Sequence, residues 1–123
     1  MDRPPGQART WPEKFRDAFR GVGIGVRGQN SFQVHMLCAV AVVVVAALTG
    51  MVAWQWCALL LCVVIVLVAE MFNTSLEVMA KAIDVRYHPQ LRDALDIASG
   101  AVLLAAMGAV VVGAIVLGSA GFW

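Results

Sequence analysis

The stretch Val63-Val64-Ile65-Val66-Leu67-Val68-Ala69-Glu70-Met71-Phe72-Asn73-Thr74-Ser75-Leu76-Glu77 decides how this chain is read. Seven apolar residues lead into a carboxylate, and two more follow it. A run of this kind belongs either to the core of a large soluble protein or to a membrane. The surroundings choose between them. The chain has 123 residues, of which 61% are hydrophobic and 14% charged. Ordinary soluble domains carry roughly 25% charged residues. With so little polar side chain, a soluble bundle cannot cover itself, and an integral membrane protein is expected. A formal net charge of +1 leaves no excess cation to neutralise phosphates, so a nucleic-acid partner is excluded.

The charges are confined to three places: residues 2–27, the pair Glu70 and Glu77, and residues 81–96. The 42 residues from Gly28 to Ala69 carry no Lys, Arg, Asp or Glu, nor do the 27 from Ile97 to Trp123. A membrane-spanning helix needs about 20 apolar residues. The longer block therefore holds two spans, broken at Thr49-Gly50 and by the interface-favouring Trp54 and Trp56. The expected spans are 33–50, 54–80 and 96–118. Pro89 suits the start of the last helix.

Arg3, Arg9, Lys14, Arg16, Arg20 and Arg27 precede the first span, and Lys81, Arg86 and Arg92 lie between the second and third. The outer turn and the C-terminal end carry no Lys or Arg. Positive flanks stay in the cytoplasm, so a multi-pass protein of the cell inner membrane is expected, N-terminus cytoplasmic and C-terminus outside. No signal peptide is expected, because about 30 mostly polar residues precede the first apolar run.

Residues 1–9 read as a loose tail. Thr10-Trp11-Pro12-Glu13 reads as a helix-capping box, with Thr10 as cap and Glu13 reaching back. Over 10–28, Trp11, Phe15, Ala18, Phe19, Val22 and Val26 form one apolar stripe at helical spacing. Lys14, Arg16, Asp17 and Arg20 take the other side. An amphipathic helix lying in the membrane surface follows; docking on the protein's own spans is a compatible reading. Gly23-Ile24-Gly25-Val26-Arg27-Gly28 fits G-x-G-x-x-G, but no strand precedes it, so a dinucleotide site is rejected. These glycines are expected to turn the chain into the first span. Cys38, Cys57 and Cys62 read as small buried apolar residues. Ala101, Ala105, Ala109 and Gly113 recur every four residues, a stripe that permits close helix packing in lipid.

Glu70, Asn73, Glu77, Lys81 and Asp84 recur at steps of three and four, which puts them on one helix face. Counting from Trp54 at about 1.5 Å per residue, Glu70 lies about 24 Å into about 30 Å of hydrocarbon. Glu77, at about 35 Å, lies just past the cytoplasmic boundary. The stripe thus runs from the inner leaflet into water. Two readings stand: a buried polar network that holds helices together, or metal-assisted chemistry with one glutamate on Mg²⁺ and the other taking a proton. Asp93 and Asp96 sit one turn apart near the third span. His35 and His88, at the cytoplasmic boundary, read as hydrogen-bonded interface residues rather than catalysts.

The segment 69–77 resembles the E-x-x-N-[ST]-x-x-E signature of the prokaryotic diacylglycerol kinase family, which includes undecaprenol kinases. Asp96-Ile97-Ala98-Ser99-Gly100-Ala101-Val102-Leu103 resembles that family's third-helix motif. Asn30-Ser31-Phe32-Gln33-Val34-His35 is similar to the start of its first span, and residues 15–21 to its surface helix. The resemblance implies a homotrimer of three-span chains in which Mg-ATP phosphorylates a lipid hydroxyl near the cytoplasmic face. By position, Glu70 resembles the proton acceptor, Asn73 its polar partner and Glu77 a metal ligand. Arg86, Tyr87, His88 and Asp96 match nucleotide-side positions. Phe15, Phe19 and Phe32 fall on the lipid-substrate side.

Three positions depart from the family pattern. Gln29 stands where the family has a second metal-binding glutamate; its amide oxygen remains a candidate Mg²⁺ ligand. Leu95 stands where the family has a lysine, and Lys81 where it has an aspartate. Lys81, one turn beyond Glu77, is expected to supply the missing cation to the nucleotide. The alternative function is a catalytically silent member acting as a membrane scaffold or lipid-binding subunit.

Overall fold

A computed structural model describes residues 8–28, 30–83 and 88–121. Four helices follow one another: α1 (Trp11–Gly28), α2 (Asn30–Thr49), α3 (Ala53–Ile83) and α4 (Pro89–Ser119). The last three are each long and apolar enough to cross a membrane. The described residues thus form an all-helical fold in which three long helices fit membrane spans, as the uncharged blocks led one to expect.

Each helix end follows from local chemistry. At the start of α1, Thr10 Oγ1 accepts the Glu13 N–H at 3.4 Å and donates to Glu13 Oε1 at 2.8 Å. The Lys14 N–H closes the first turn on the Thr10 carbonyl. Through the glycine run, α1 stays helical past Gly23 and Gly25 and ends at Gly28, the last of these glycines. The loss of helix propensity at each glycine, about 1 kcal/mol, is outweighed at Gly25 by packing. Gly25 is buried, and a β-carbon there would stand 3.4 Å from the Met71 Cε of α3. Those are ordinary van der Waals distances, and they show the end of α1 packed against α3.

At the opposite end of the bundle, Gly50 takes φ +67° and ends α2, a conformation that disfavours residues with a β-carbon. Gln55 then caps α3. Its Oε1 accepts the Val52 N–H at 2.9 Å, while the Val52 carbonyl takes the N–H groups of Gln55 and Trp56. This is the glutamine half of a capping box; Val52 has no side-chain oxygen to supply the other half. Gln55 Nε2 also donates to Ser119 Oγ of α4 at 3.1 Å, and Ser119 donates to the Val116 carbonyl. Beside this clasp lies a small core of Ala46, Met51, Leu59 and Val116, flanked by Trp56 and Leu117. At the start of α4, His88 is extended because Pro89 follows it.

The α3–α4 pair makes the most extensive interhelical packing and α2–α3 the next. Much of the apolar surface stays uncovered, including Leu104, Val110 and Ile115 on α4. Two expectations change here. Cys38 and Cys57 are exposed and Cys62 half-buried, with all three thiols free, because three helices leave their outer faces open. The small-residue stripe of α4 makes no tight crossing within the chain. Ala101 is exposed, and a β-carbon on Gly113 would meet nothing within 4 Å.

Candidate functional site

The buried residues of α3 are Gln55, Leu59, Val66, Glu70, Thr74 and Ala80, spaced so that they share the face turned to α2 and α4. Glu70 therefore sits where an apolar residue is expected, only 3% exposed. A charged group in the membrane interior costs about 3 kcal/mol even on the most lenient scale, so it needs a partner. The fold brings one across from α2: His35 Nε2 lies 3.2 Å from Glu70 Oε1.

One turn further along, Asn73 Nδ2 donates to Glu77 Oε1 at 3.0 Å. This bond uses the amide's donor end and orients its acceptor end. Asn73 Oδ1 is buried without a hydrogen-bond partner, and so is Thr74 Oγ1, on a residue 6% exposed. Such orphaned atoms cost free energy, about 1–3 kcal/mol each, and mark places where a ligand atom or water completes the set. Burial falls steadily along the stripe. Glu70 is enclosed, Glu77 is half-buried and Lys81 is exposed. The polar face thus opens from the helix interior towards one end of the bundle. Asp84 lies outside the described residues.

The other expected site residues divide. Gln29, Arg86 and Tyr87 lie outside the described residues. His88 and Asp96 are exposed near the start of α4. Asp96 is engaged by Arg92 one turn earlier, at 3.4 Å. Among the described residues, no group of three His, Cys, Asp or Glu side chains stands close enough to share one metal ion. Phe15 and Phe19 are open on α1, whereas Phe32 is 2% exposed and enclosed by the chain. An aromatic at the start of a span has packed inward here, because α2 turns that face to the other helices.

Two grooves flank the stripe, each about 500 Å³. One lies between α1 and α3 and is lined by Ala18, Val22, Gly25, Met71, Thr74 and Val78, not by the three phenylalanines. The other runs between α2, α3 and α4, from His35 past Val42, Val66 and Ala109 to Leu117. On α1 the aromatic stripe is open at Trp11, Phe15 and Phe19. Trp11 and Phe15 rings are 6.3 Å apart, with Lys14 Nζ 4.5 Å from the Trp11 ring centre. Asp17 is held below the usual carboxylate range, first by its hydrogen bond from Arg9 and further by the neighbouring charges of Arg16 and Arg20.

Sequence reasoning read His35 as a hydrogen-bonded residue without naming Glu70 as its partner, and it missed Gln55. The signal for His35 was present in the counting. It lies fourteen residues before the end of α2, and Glu70 seventeen after the start of α3. At about 1.5 Å per residue, both sit at similar distances from the turn that joins the two helices, roughly 21 and 26 Å. Gln55 carried no such signal beyond its place three residues after Val52.

An enclosed carboxylate on the inner face of three apolar spans, continued by an amide and a second carboxylate towards one end, defines a small helical membrane protein with an intramembrane polar site. The chain belongs to the prokaryotic diacylglycerol kinase family, whose sequence pattern matches residues 16–117. It is 38% identical over 104 residues to a diacylglycerol kinase of Synechocystis sp., covering 84% of this chain and 59% of that relative. The chain thus spans well under two thirds of that protein's length. It is 28% identical over 104 residues to the undecaprenol kinase of Bacillus subtilis, covering 85% of each.

Proposed function

We propose that this chain is a membrane lipid kinase that transfers the γ-phosphate of ATP to the hydroxyl of a lipid of the diacylglycerol or undecaprenol class at the cytoplasmic leaflet. One observation carries the reading. Glu70 is enclosed, on the same helix face as the unsatisfied Asn73 Oδ1 and Thr74 Oγ1. Purely structural carboxylates are not expected to sit beside orphaned acceptors, because such a network costs more than an apolar one.

In this reading Glu70 takes the hydroxyl proton as the lipid oxygen bonds to phosphorus and the bond to the ADP oxygen breaks. Asn73 fixes Glu77 through the 3.0 Å hydrogen bond and turns its own oxygen towards the ligand. Phosphoryl transfer needs mainly positioning and charge neutralisation, so no P-loop is required. The donor set suits Mg²⁺, which takes one or two carboxylates together with substrate phosphates and water. Glu77, Asn73 Oδ1 and Gln29 would hold it, and bound there it neutralises phosphate charge. Lys81, exposed beyond Glu77, is assigned to the nucleotide phosphates with Arg86, Tyr87, His88 and Asp96. Phe15 and Phe19, open on α1, are assigned to the lipid; Phe32 supports the site from inside.

The α1 helix is placed in the membrane surface, its aromatic stripe in the headgroup layer and its basic side in water. The N-terminus is assigned to the cytoplasm. The uncovered apolar faces of the three spans favour a homotrimer with sites shared between copies. A silent scaffold is the second reading, favoured by Leu95 and by the engagement of Asp96 with Arg92.

The test is transfer of radiolabelled phosphate from ATP to a panel of lipid alcohols in detergent. Native protein is expected to label at least one lipid, and Glu70→Gln to lose about 100-fold or more, the usual contribution of a general base. No labelled lipid from folded native protein overturns the kinase reading in favour of the scaffold.

A further inference from the structure

Glu70 has to present a carboxylate oxygen to a lipid hydroxyl, and glutamate has three rotatable side-chain bonds. A ring nitrogen from a different helix stands close to Glu70 Oε1: His35 Nε2, at 3.2 Å. His35 lies in the second turn of α2, one turn beyond the enclosed Phe32, which anchors that part of the helix inside the chain. Its side chain is 27% exposed, while that of Glu70 is 4% exposed. The imidazole therefore forms the boundary between the enclosed carboxylate and the groove between α2, α3 and α4 that His35 also lines.

We propose that His35 is a positioning residue for phosphotransfer: by placing its Nε2–H on Glu70 Oε1 it fixes the carboxylate that receives the lipid hydroxyl proton. This inference rests on the reading of Glu70 as proton acceptor given above. The physical reason is that of every base held by an orienting group. A proton is transferred over a heavy-atom distance of about 2.6–3.2 Å, and a misplacement of about 1 Å can cost 100-fold in rate. A carboxylate that rotates freely among its rotamers spends little time on target. A ring donor carried by a neighbouring helix removes that freedom and also compensates a negative charge in a medium of low dielectric constant.

The experiment compares purified full-length native protein with His35→Leu and His35→Gln, using the lipid alcohol that the native protein labels best. His35→Leu is expected to lower kcat at least tenfold with the KM for ATP unchanged. His35→Gln keeps a side-chain N–H donor and is expected to recover most of the loss. Should the leucine variant not fold, His35→Met, similarly long and lacking an N–H, takes its place. In parallel, protein labelled with ¹⁵N-histidine is compared with its Glu70→Gln form. The imidazole signals of His35 are expected to move, while those of the exposed His88 stay. A folded leucine or methionine variant with native kcat overturns the proposal, and so does a glutamine variant no better than leucine. Unmoved His35 signals overturn the pairing itself. If the native protein labels no lipid, the kinase reading falls first and this role falls with it; an active native protein with an indifferent His35 leaves the kinase standing.

Discussion

Thr74 and Asn73 carry atoms that an apolar core would not contain. The Thr74 hydroxyl is buried with no hydrogen-bond partner, so it loses its contact with water and gains nothing in return. Replacing it with valine, which keeps the shape and removes the oxygen, is expected to leave stability unchanged or raise it by about 1 kcal/mol. The same change is expected to lower phosphotransfer if the hydroxyl meets a ligand. Thermal unfolding in detergent, read beside the transfer assay, checks both. A loss of stability with full activity would make Thr74 an ordinary packing residue. Of this site, Glu70, Asn73 and Glu77 were legible from spacing alone, because a shared face is written in steps of three and four. That Asn73 bonds Glu77, and that its oxygen is left over, was not legible, since both depend on rotamers chosen by packing.

The helices show a division between their two ends. At the turn between α2 and α3, Gln55 caps its own helix and reaches Ser119 on α4, next to the core of Ala46, Met51, Leu59 and Val116. At the other end the polar stripe opens and the aromatic stripe of α1 is uncovered. The packed clasp thus lies at the end opposite to the one at which the polar stripe opens. Gln55→Leu removes the cap and the clasp together. It is expected to destabilise the bundle by about 1 kcal/mol, the usual range for a polar contact between membrane helices, without changing the KM for ATP. Denaturation in mixed micelles and steady-state kinetics measure the two quantities. The glycines of α1 teach a related lesson. Read alone they suggested where the chain passes to the first span, and α1 does end at Gly28; that Gly25 packs beside Met71 came only with the fold.

At the level of the entire chain, the asymmetry of Lys and Arg predicts orientation. In a variant whose native cysteines are replaced, a cysteine at Val52, exposed in the outer turn, is expected to react with a membrane-impermeant maleimide on intact cells. A cysteine at Ala8 is expected to react only after the cells are opened. The reverse pattern would place the polar stripe on the wrong side for cytosolic ATP. The large uncovered apolar area of the three spans suits lipid or further copies of the chain; of the four-residue stripe of α4, Ala101 belongs to that outer surface, whereas Ala109 and Gly113 line the groove between α2, α3 and α4.

The number and extent of the apolar spans, the turn at Gly50 and the acidic face of α3 follow from the order of residues, because hydropathy over 18 residues and periodicity along one helix are local properties of the chain. The pairing of His35 with Glu70, the reach of Gln55 to Ser119, the enclosure of Phe32 and the open flanks at Cys38 and Cys57 came only with the folded bundle. These depend on how far one helix is shifted and rotated against the next. That shift is set by turns and by side-chain packing between segments distant in sequence, and no single helix carries it.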